Sequence, residues 1–222
     1  MPRIFRLLPE TGILHILTRG NNRQQVFKDN ADYKRYLELL KLYKSQHRFL
    51  LYHYCLMPNH VHLIIETTPT TNLAKLMKQI NLAYMHYYRK RYTYFGHFWQ
   101  GRYKSLIIDK DEYLIACGRY IELNPVRAKI VKEPEDYRYS SYNLYAHGRE
   151  DGLADLDPLY VDLGKTTKRR QENYRKFVQE GLPMVNLNSR FMGSKSFICA
   201  MEGKFNIKNL KDARGRPKKV EK

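Results

Sequence analysis

The chain has 222 residues, 40 of them Lys or Arg and 22 Asp or Glu, for a formal net charge of +18. With 43% hydrophobic and 13% aromatic residues it can bury a sizeable core, so it is not a disordered chain, and its length suits one domain or one domain with a small appendage. It contains no apolar run of the roughly 18–20 residues that a membrane span needs, no apolar stretch before Pro9 and Glu10 that reads as a secretion signal, and only three scattered cysteines, Cys55, Cys117 and Cys199. This predicts a cytoplasmic protein with reduced thiols, no disulfide framework and no membrane partner.

So large a positive surplus repels itself and favours a polyanion. It is concentrated late in the chain, with 16 of the 40 basic residues and only 6 of the 22 acidic ones after residue 160. Basic residues interleaved with nineteen tyrosines offer phosphate contacts and stacking surfaces, which points to nucleic acid rather than to a merely basic enzyme.

In chain order, GILHILTRG around His15 reads as a strand that runs into a Gly-Asn-Asn turn. A helix follows over 30–48, with Asn30 as its cap and Tyr33, Tyr36, Leu37, Leu40 and Tyr43 at helical spacing. Two strands, 49–57 and 61–66, are split by Pro58-Asn59, as in a hairpin. A second amphipathic helix over 72–91 carries Leu73, Leu76, Met77, Ile80, Tyr84 and Tyr87 as its apolar stripe. A strand over 103–108 leads to a third helix, capped by Asp109 and ended near Leu123 by Asn124-Pro125. The order is that of an α+β, ferredoxin-like split βαβ fold: an antiparallel sheet with helices on one face, plus an extra helix. Residues 1–147 are expected to form the main domain and 148–210 a basic helical extension that includes KRRQENYRKFVQE. Residues 211–222 are expected to be a disordered basic tail.

Two motifs carry chemistry. In PNHVHLIIE, His60 and His62 are two apart, so on a strand both imidazoles point one way while Val61, Leu63 and Ile65 point to the core. Such a pair can hold a divalent metal if a carboxylate, amide or water completes the shell; two surface histidines on a half-buried strand are the alternative. In GRYIELNPVRAKIV, Tyr120 and Asn124 are i and i+4 on one helix face. A hydroxyl and an amide that close can serve one metal-bound phosphate, although Asn-Pro is equally a helix boundary and Tyr120 equally a packing residue.

Together PNHVHLIIE, WQGRYKS, YIELNPVRA and RGNNRQ resemble the REP-associated tyrosine transposases. These are relatives of the single-tyrosine insertion-sequence transposases in the His-hydrophobic-His endonuclease superfamily, and the resemblance runs over about residues 10–145. It implies a single-strand DNA endonuclease and strand transferase acting at hairpin-forming repeats. His60 and His62 would be metal ligands, Asn124 the third ligand, and Tyr120 the nucleophile that forms a 5′-phosphotyrosine. Tyr113, seven residues earlier, is the local competitor, and Pro125 disfavours helical backbone at Asn124. The implied cofactor is Mg²⁺ or Mn²⁺, and the implied partner is single-stranded or hairpin DNA, bound by a monomer or a homodimer.

Arg19, Asn21, Arg23, Arg102, Lys104 and Arg127 are the candidate DNA contacts in these motifs. Trp99 is either a stacking platform for an unpaired base or a core aromatic. In the tail, Arg214 and Arg216 in Arg-Gly-Arg-Pro resemble an AT-hook core for a narrow minor groove. His15, His53 and His97 are expected to pack or hydrogen-bond rather than ligate. A replication-type nickase and a non-catalytic nucleic-acid-binding protein of the same fold are the rival functions.

Overall fold

The structure is a computed structural model that describes residues 9, 11–180 and 189–209. Its main elements are β1 (Gly12–Arg19), α1 (Asn30–His47), β2 (Leu50–Met57), β3 (His60–Thr67), α2 (Leu73–Tyr92), β4 (Lys104–Ile108) and α3 (Glu112–Glu122). They are followed by α4 (Asn124–Arg127), α5 (Tyr142–His147), α6 (Pro158–Asp162), α7 (Thr167–Gln179), β5 (Phe191–Met192) and α8 (Lys195–Phe205). The sheet order is β2-β3-β1-β4-β5, in which the first four strands pair antiparallel and β5 adds parallel to the β4 edge. The first four strands thus form the split βαβ arrangement expected from the sequence, while β5, only two residues long, leaves no periodic trace to read.

The two expected caps move. Asp29, in extended backbone, caps α1 by accepting from the amides of Ala31 and Asp32. Asn30 is instead the first helical residue, and its amide oxygen accepts from the Tyr139 hydroxyl at 2.6 Å. Asp111 rather than Asp109 stands at the α3 cap position; the Asp109 carboxylate accepts from the Ser194 hydroxyl at 3.2 Å and so receives the start of α8. On α2 the buried stripe ends in Tyr88 rather than Tyr87. The Tyr87 hydroxyl turns to the buried Asp32 carboxylate, which also accepts from Tyr92, Arg91 and the Lys28 amide. Four donors make that carboxylate tolerable inside and bolt α1 to α2.

The main core runs from Ile13 to Phe191 and includes Val61, Leu63 and Ile65 on one side of β3. On the other side α3 crosses β2, its Glu122 meeting His53 of that strand at 2.9 Å. Helices therefore cover part of both faces. A second cluster, Tyr142, Tyr145, Tyr160, Tyr174 and Val178 with Ile115 of α3, joins α5, α6 and α7 to that helix. Among the described residues, no helix is long and apolar enough to cross a membrane.

Candidate active site

Strand register assembles the first half of the site. Arg19 on β1 is opposite His60, while Leu17 is opposite both His62 on β3 and Lys104 on β4. Residues opposed in a ladder share a face, so Arg19, His60, His62 and Lys104 stand on the same side of the sheet. The two imidazoles are 4.9 Å apart between ring centroids and nearly perpendicular, His62 buried and His60 half-buried. His15, two residues before Leu17 and on the same face, places Nε2 2.7 Å from His62 Nδ1.

Three imidazoles crowded together lose their protons. Burial, reinforced by the Arg19 charge, lowers His60 to about 4. Burial and the neighbouring His60 lower His15 to about 4, and burial with His15, His60 and Arg127 holds His62 well below its ordinary value. At neutral pH the pair is therefore uncharged, the form in which imidazole ligates a metal. Tautomers follow the hydrogen bonds. His60 Nδ1 faces the Asn59 side-chain oxygen, an acceptor, so Nδ1 carries the proton and Nε2 carries the lone pair.

The second half of the site lies where α3 meets α4. Backbone at Leu123 stays helical and α4 starts at Asn124, so Pro125 does not turn the chain away. Pro125 cannot donate to the Ile121 carbonyl four residues back. The Asn124 side-chain amide supplies donors instead, to Ile121 O at 3.2 Å and Tyr120 O at 3.3 Å, which leaves its oxygen for another partner. Tyr120 is half-buried, and the Arg127 guanidinium lies 4.8 Å from its ring centroid. Its charge also contributes, after burial, His15 and His60, to holding His62 low. Tyr113 faces elsewhere, into a cavity of about 440 Å³ between α3, β5 and α8 that is also lined by Phe177, Phe191 and Ile198.

The geometry is thus a histidine pair on β3 and, where α3 meets α4, a tyrosine with an asparagine one turn on, in the same chain. Over residues 10–124, just over half the chain, the sequence matches the family model described as IS200-like transposase. The chain belongs to the IS200-like transposases. This transposase is also similar in fold to the REP-associated tyrosine transposase solved bound to a REP hairpin, at 20% identity and a TM-score of 0.58, over 71% of this chain and 90% of that one. A Deinococcus radiodurans protein described as a transposase is 18% identical over 62% of this chain and 98% of that one, at a TM-score of 0.39. No curated protein is similar enough to count as a match.

The candidate DNA contacts of this transposase gather at the end of the sheet that carries His60. Gly20 bridges to Trp99, the Asn21 amide donates to Phe98 O at 2.9 Å, and the Gln100 amide donates to Arg19 O at 2.8 Å. The motifs TRGNNRQ and WQGRYKS therefore form one rim, with Arg23, Arg102 and Lys104 on it. Trp99 is held rather than free: its indole donates to Asn81 O at 3.0 Å and its ring packs edge-on to Phe98. One side still lines a cavity of about 450 Å³ with Met77, Lys78, Leu82 and Arg102. Arg214 and Arg216 lie outside the described residues.

Among the described residues, no three His, Cys, Asp or Glu side chains form a metal-binding group. The donors present are two neutral imidazoles and one amide, a set that fits a divalent ion when water or phosphate oxygen completes the shell. Sequence reasoning missed the partners of His53, which binds Glu122 of α3 and Asp157 at 2.9 and 3.0 Å with all three side chains fully buried. The signal was present: a His inside LLYHYCLM and a Glu between Ile121 and Leu123 are polar groups in apolar runs, and each needs a partner indoors.

Proposed function

We propose that this transposase cuts and rejoins single-stranded DNA at hairpin-forming repeats through a covalent link to Tyr120. Like the REP-associated relative, which was solved on a REP hairpin, it would hold a folded single strand. The observation that carries the reading is Arg127, whose guanidinium lies over the Tyr120 ring and whose charge is among the causes that hold His62 low. In this reading the nucleophile, the histidine pair and a phosphate-binding cation would act as one site in one chain.

In this reaction the Tyr120 oxygen attacks the phosphorus in line with the 3′ oxygen. A phosphotyrosyl bond to the 5′ side forms as the P–O3′ bond breaks, and the 3′ oxygen leaves as a hydroxyl bearing the proton that the phenol gives up. Bond energy is retained in the phosphotyrosine, so the reverse attack by another 3′-hydroxyl rejoins strands without ATP. A protonated phenol is a weak nucleophile, and the Arg127 charge over the Tyr120 ring favours the phenolate-like transition state. Bound at His60, His62 and the Asn124 oxygen, Mg²⁺ or Mn²⁺ would supply Lewis-acid polarisation of the scissile phosphate. Arg19, Asn21, Arg23, Arg102 and Lys104 hold the strand along the rim by phosphate and base contacts.

The test is a labelled single-stranded hairpin library incubated with Mn²⁺ and run on a denaturing protein gel. Label migrating with the wild-type chain and absent from Tyr120→Phe, which still binds the same DNA, is the expected result. Salt-sensitive binding with no covalent band in either form would overturn the catalytic reading.

A further inference from the structure

Glu122 is fully buried, two residues after Tyr120 and two before Asn124, and the chemistry above does not use it. One carboxylate oxygen accepts from the Ser141 hydroxyl at 2.5 Å and faces His53 Nδ1 at 2.9 Å. The other accepts from the Tyr174 hydroxyl of α7 at 2.6 Å. On its far side His53 Nε2 meets Asp157 at 3.0 Å, and the second Asp157 oxygen caps α6 through the Leu159 amide at 2.8 Å. Burial alone would lower His53, but the Glu122 and Asp157 carboxylates beside it raise it to about 9, so the ring is a cation at neutral pH. One turn earlier on α3, Gly118 lies so close to this ring that a Cβ there would sit 2.5 Å from it.

Stability does not require such an arrangement, since an apolar set of the same shape commonly holds helices about as well as a buried ion set does. What directed bonds to both carboxylate oxygens add is orientation. An apolar stripe tolerates some roll of the helix about its axis, whereas Glu122 held from two directions does not. At about 100° per residue, Tyr120 and Asn124 both lie roughly opposite Glu122 and close to one another. Fixing residue 122 inward therefore fixes where residues 120 and 124 point. Arg119 adds a second tie to α7, donating to Phe177 O at 2.6 Å with its guanidinium 4.1 Å from the Phe177 ring centroid.

We propose that Glu122, gripped by His53, Ser141 and Tyr174 and linked through His53 to Asp157, is a positioning residue that fixes the roll of α3, and that residues 141–174 are the clamp of the tyrosine helix. The proposal rests on Tyr120 as nucleophile. The stretch after the main motifs thereby serves catalysis, because α6 and α7 hold the nucleophile of their own chain in register.

The experiment compares the full-length chain with Glu122→Gln and with the milder Tyr174→Phe, which removes one hydroxyl and keeps the ring. Covalent adduct formation is followed in single turnover at saturating hairpin DNA, alongside the DNA Kd and hydrogen exchange of backbone amides. A roll error shows as a rate constant lower by roughly 10- to 100-fold with burst amplitude and Kd unchanged. Exchange becomes faster in α3 and stays slow in β1 and β3. Loss of amplitude with an unchanged rate constant, or exchange that rises equally throughout, means a purely structural role and overturns the proposal. If the wild-type chain forms no adduct, the tyrosine reading falls by itself, and the clamp is then judged by exchange alone: α3 as protected in Glu122→Gln as in wild type overturns it.

Discussion

His15 Nε2 sits 2.7 Å from His62 Nδ1, and the two rings stack within 10° of parallel at 5.0 Å between centroids. With His62 donating and His15 accepting, the His62 Nε2 lone pair is free, just as the Asn59 oxygen frees Nε2 of His60. In that tautomer both histidines of the pair have their inner nitrogen engaged and their outer nitrogen available, the usual arrangement around imidazole ligands.

His15→Phe keeps the packing and removes the acceptor. The Mn²⁺ concentration giving half-maximal adduct formation is expected to rise by about 10- to 100-fold, while DNA affinity measured without metal stays the same. His15→Gln, whose amide oxygen can accept from His62, is expected to recover part of the loss. An unchanged metal requirement in both variants would separate His15 from the ligand pair. Chelation with EDTA should abolish the adduct in all of them.

The order of elements and the faces of the histidine pair were legible because alternation along a strand is a local property: Val61, Leu63 and Ile65 had to point opposite to His60 and His62. That Tyr120 and Asn124 are neighbours one turn apart was legible for the same reason at helical period. What stayed hidden depends on distant segments. His15 meets His62 only through the β1–β3 register, 47 residues apart. Asp157 reaches His53 across 104 residues, and β5 is defined by its pairing with β4 rather than by any pattern of its own. The cap shift from Asn30 to Asp29 is local, but it was settled by Tyr139, which claims the Asn30 side chain from far along the chain. Asn124 is the instructive middle case: the sequence warned that Pro125 disfavours helix there, and the side chain itself repairs the missing hydrogen bond.

Arg127 lies over the Tyr120 ring, and its charge is among the causes that hold His62 low. Replacing it by Ala is expected to lower the single-turnover rate of adduct formation by about 10²- to 10³-fold at saturating DNA, because the charge acts where the phosphate reacts. Arg127→Lys should recover only part, since a point charge replaces a planar group lying over the Tyr120 ring. By contrast, Arg23→Ala on the rim should weaken DNA binding and reduce the salt slope by about 1 without changing the saturated rate. Equal effects of the two substitutions on rate would count against a transition-state role for Arg127.

Stability is expected to fall on both sides of neutrality for two different histidine sets. His15 and His60 stand near 4 in the folded chain against an ordinary 6.5, because burial disfavours their cations. Between about pH 6.5 and 4 the unfolded chain binds protons that the folded one excludes, so stability drops as pH falls, by at most about 3 kcal/mol for each group. His53 has the opposite sign. Its folded pKa is raised to about 9 by Glu122 and Asp157, which outweigh the effect of burial, so its contribution is complete below 6.5 and is lost as pH rises through about 9. Urea midpoints measured from pH 4 to 9.5 should trace a dome. His15→Phe should flatten its acid limb and His53→Gln its alkaline limb; an alkaline limb that survives in His53→Gln would assign that loss to another group.

Gly118→Ala gives a test whose sign differs from the ordinary one. Inside an exposed helix, replacing Gly by Ala stabilises by about 1 kcal/mol, because Gly loses more backbone entropy on folding. Gly118 is fully enclosed, and an added Cβ would fall 2.5 Å from His53 Cε1, with Nε2 and Nδ1 at 2.6 and 2.7 Å. The ring cannot retreat, since both its nitrogens are held by buried carboxylates. The methyl group must therefore push α3 away from β2 or break the His53 contacts, an overpacking cost of about 1–3 kcal/mol that outweighs the helix gain. Thermal unfolding should show Gly118→Ala below the wild type, whereas Gly203→Ala on α8, where a Cβ would meet nothing within 4 Å, should lie at or above it. A stabilised Gly118→Ala would mean that His53 has room to move and that α3 is held to the sheet by its apolar residues alone.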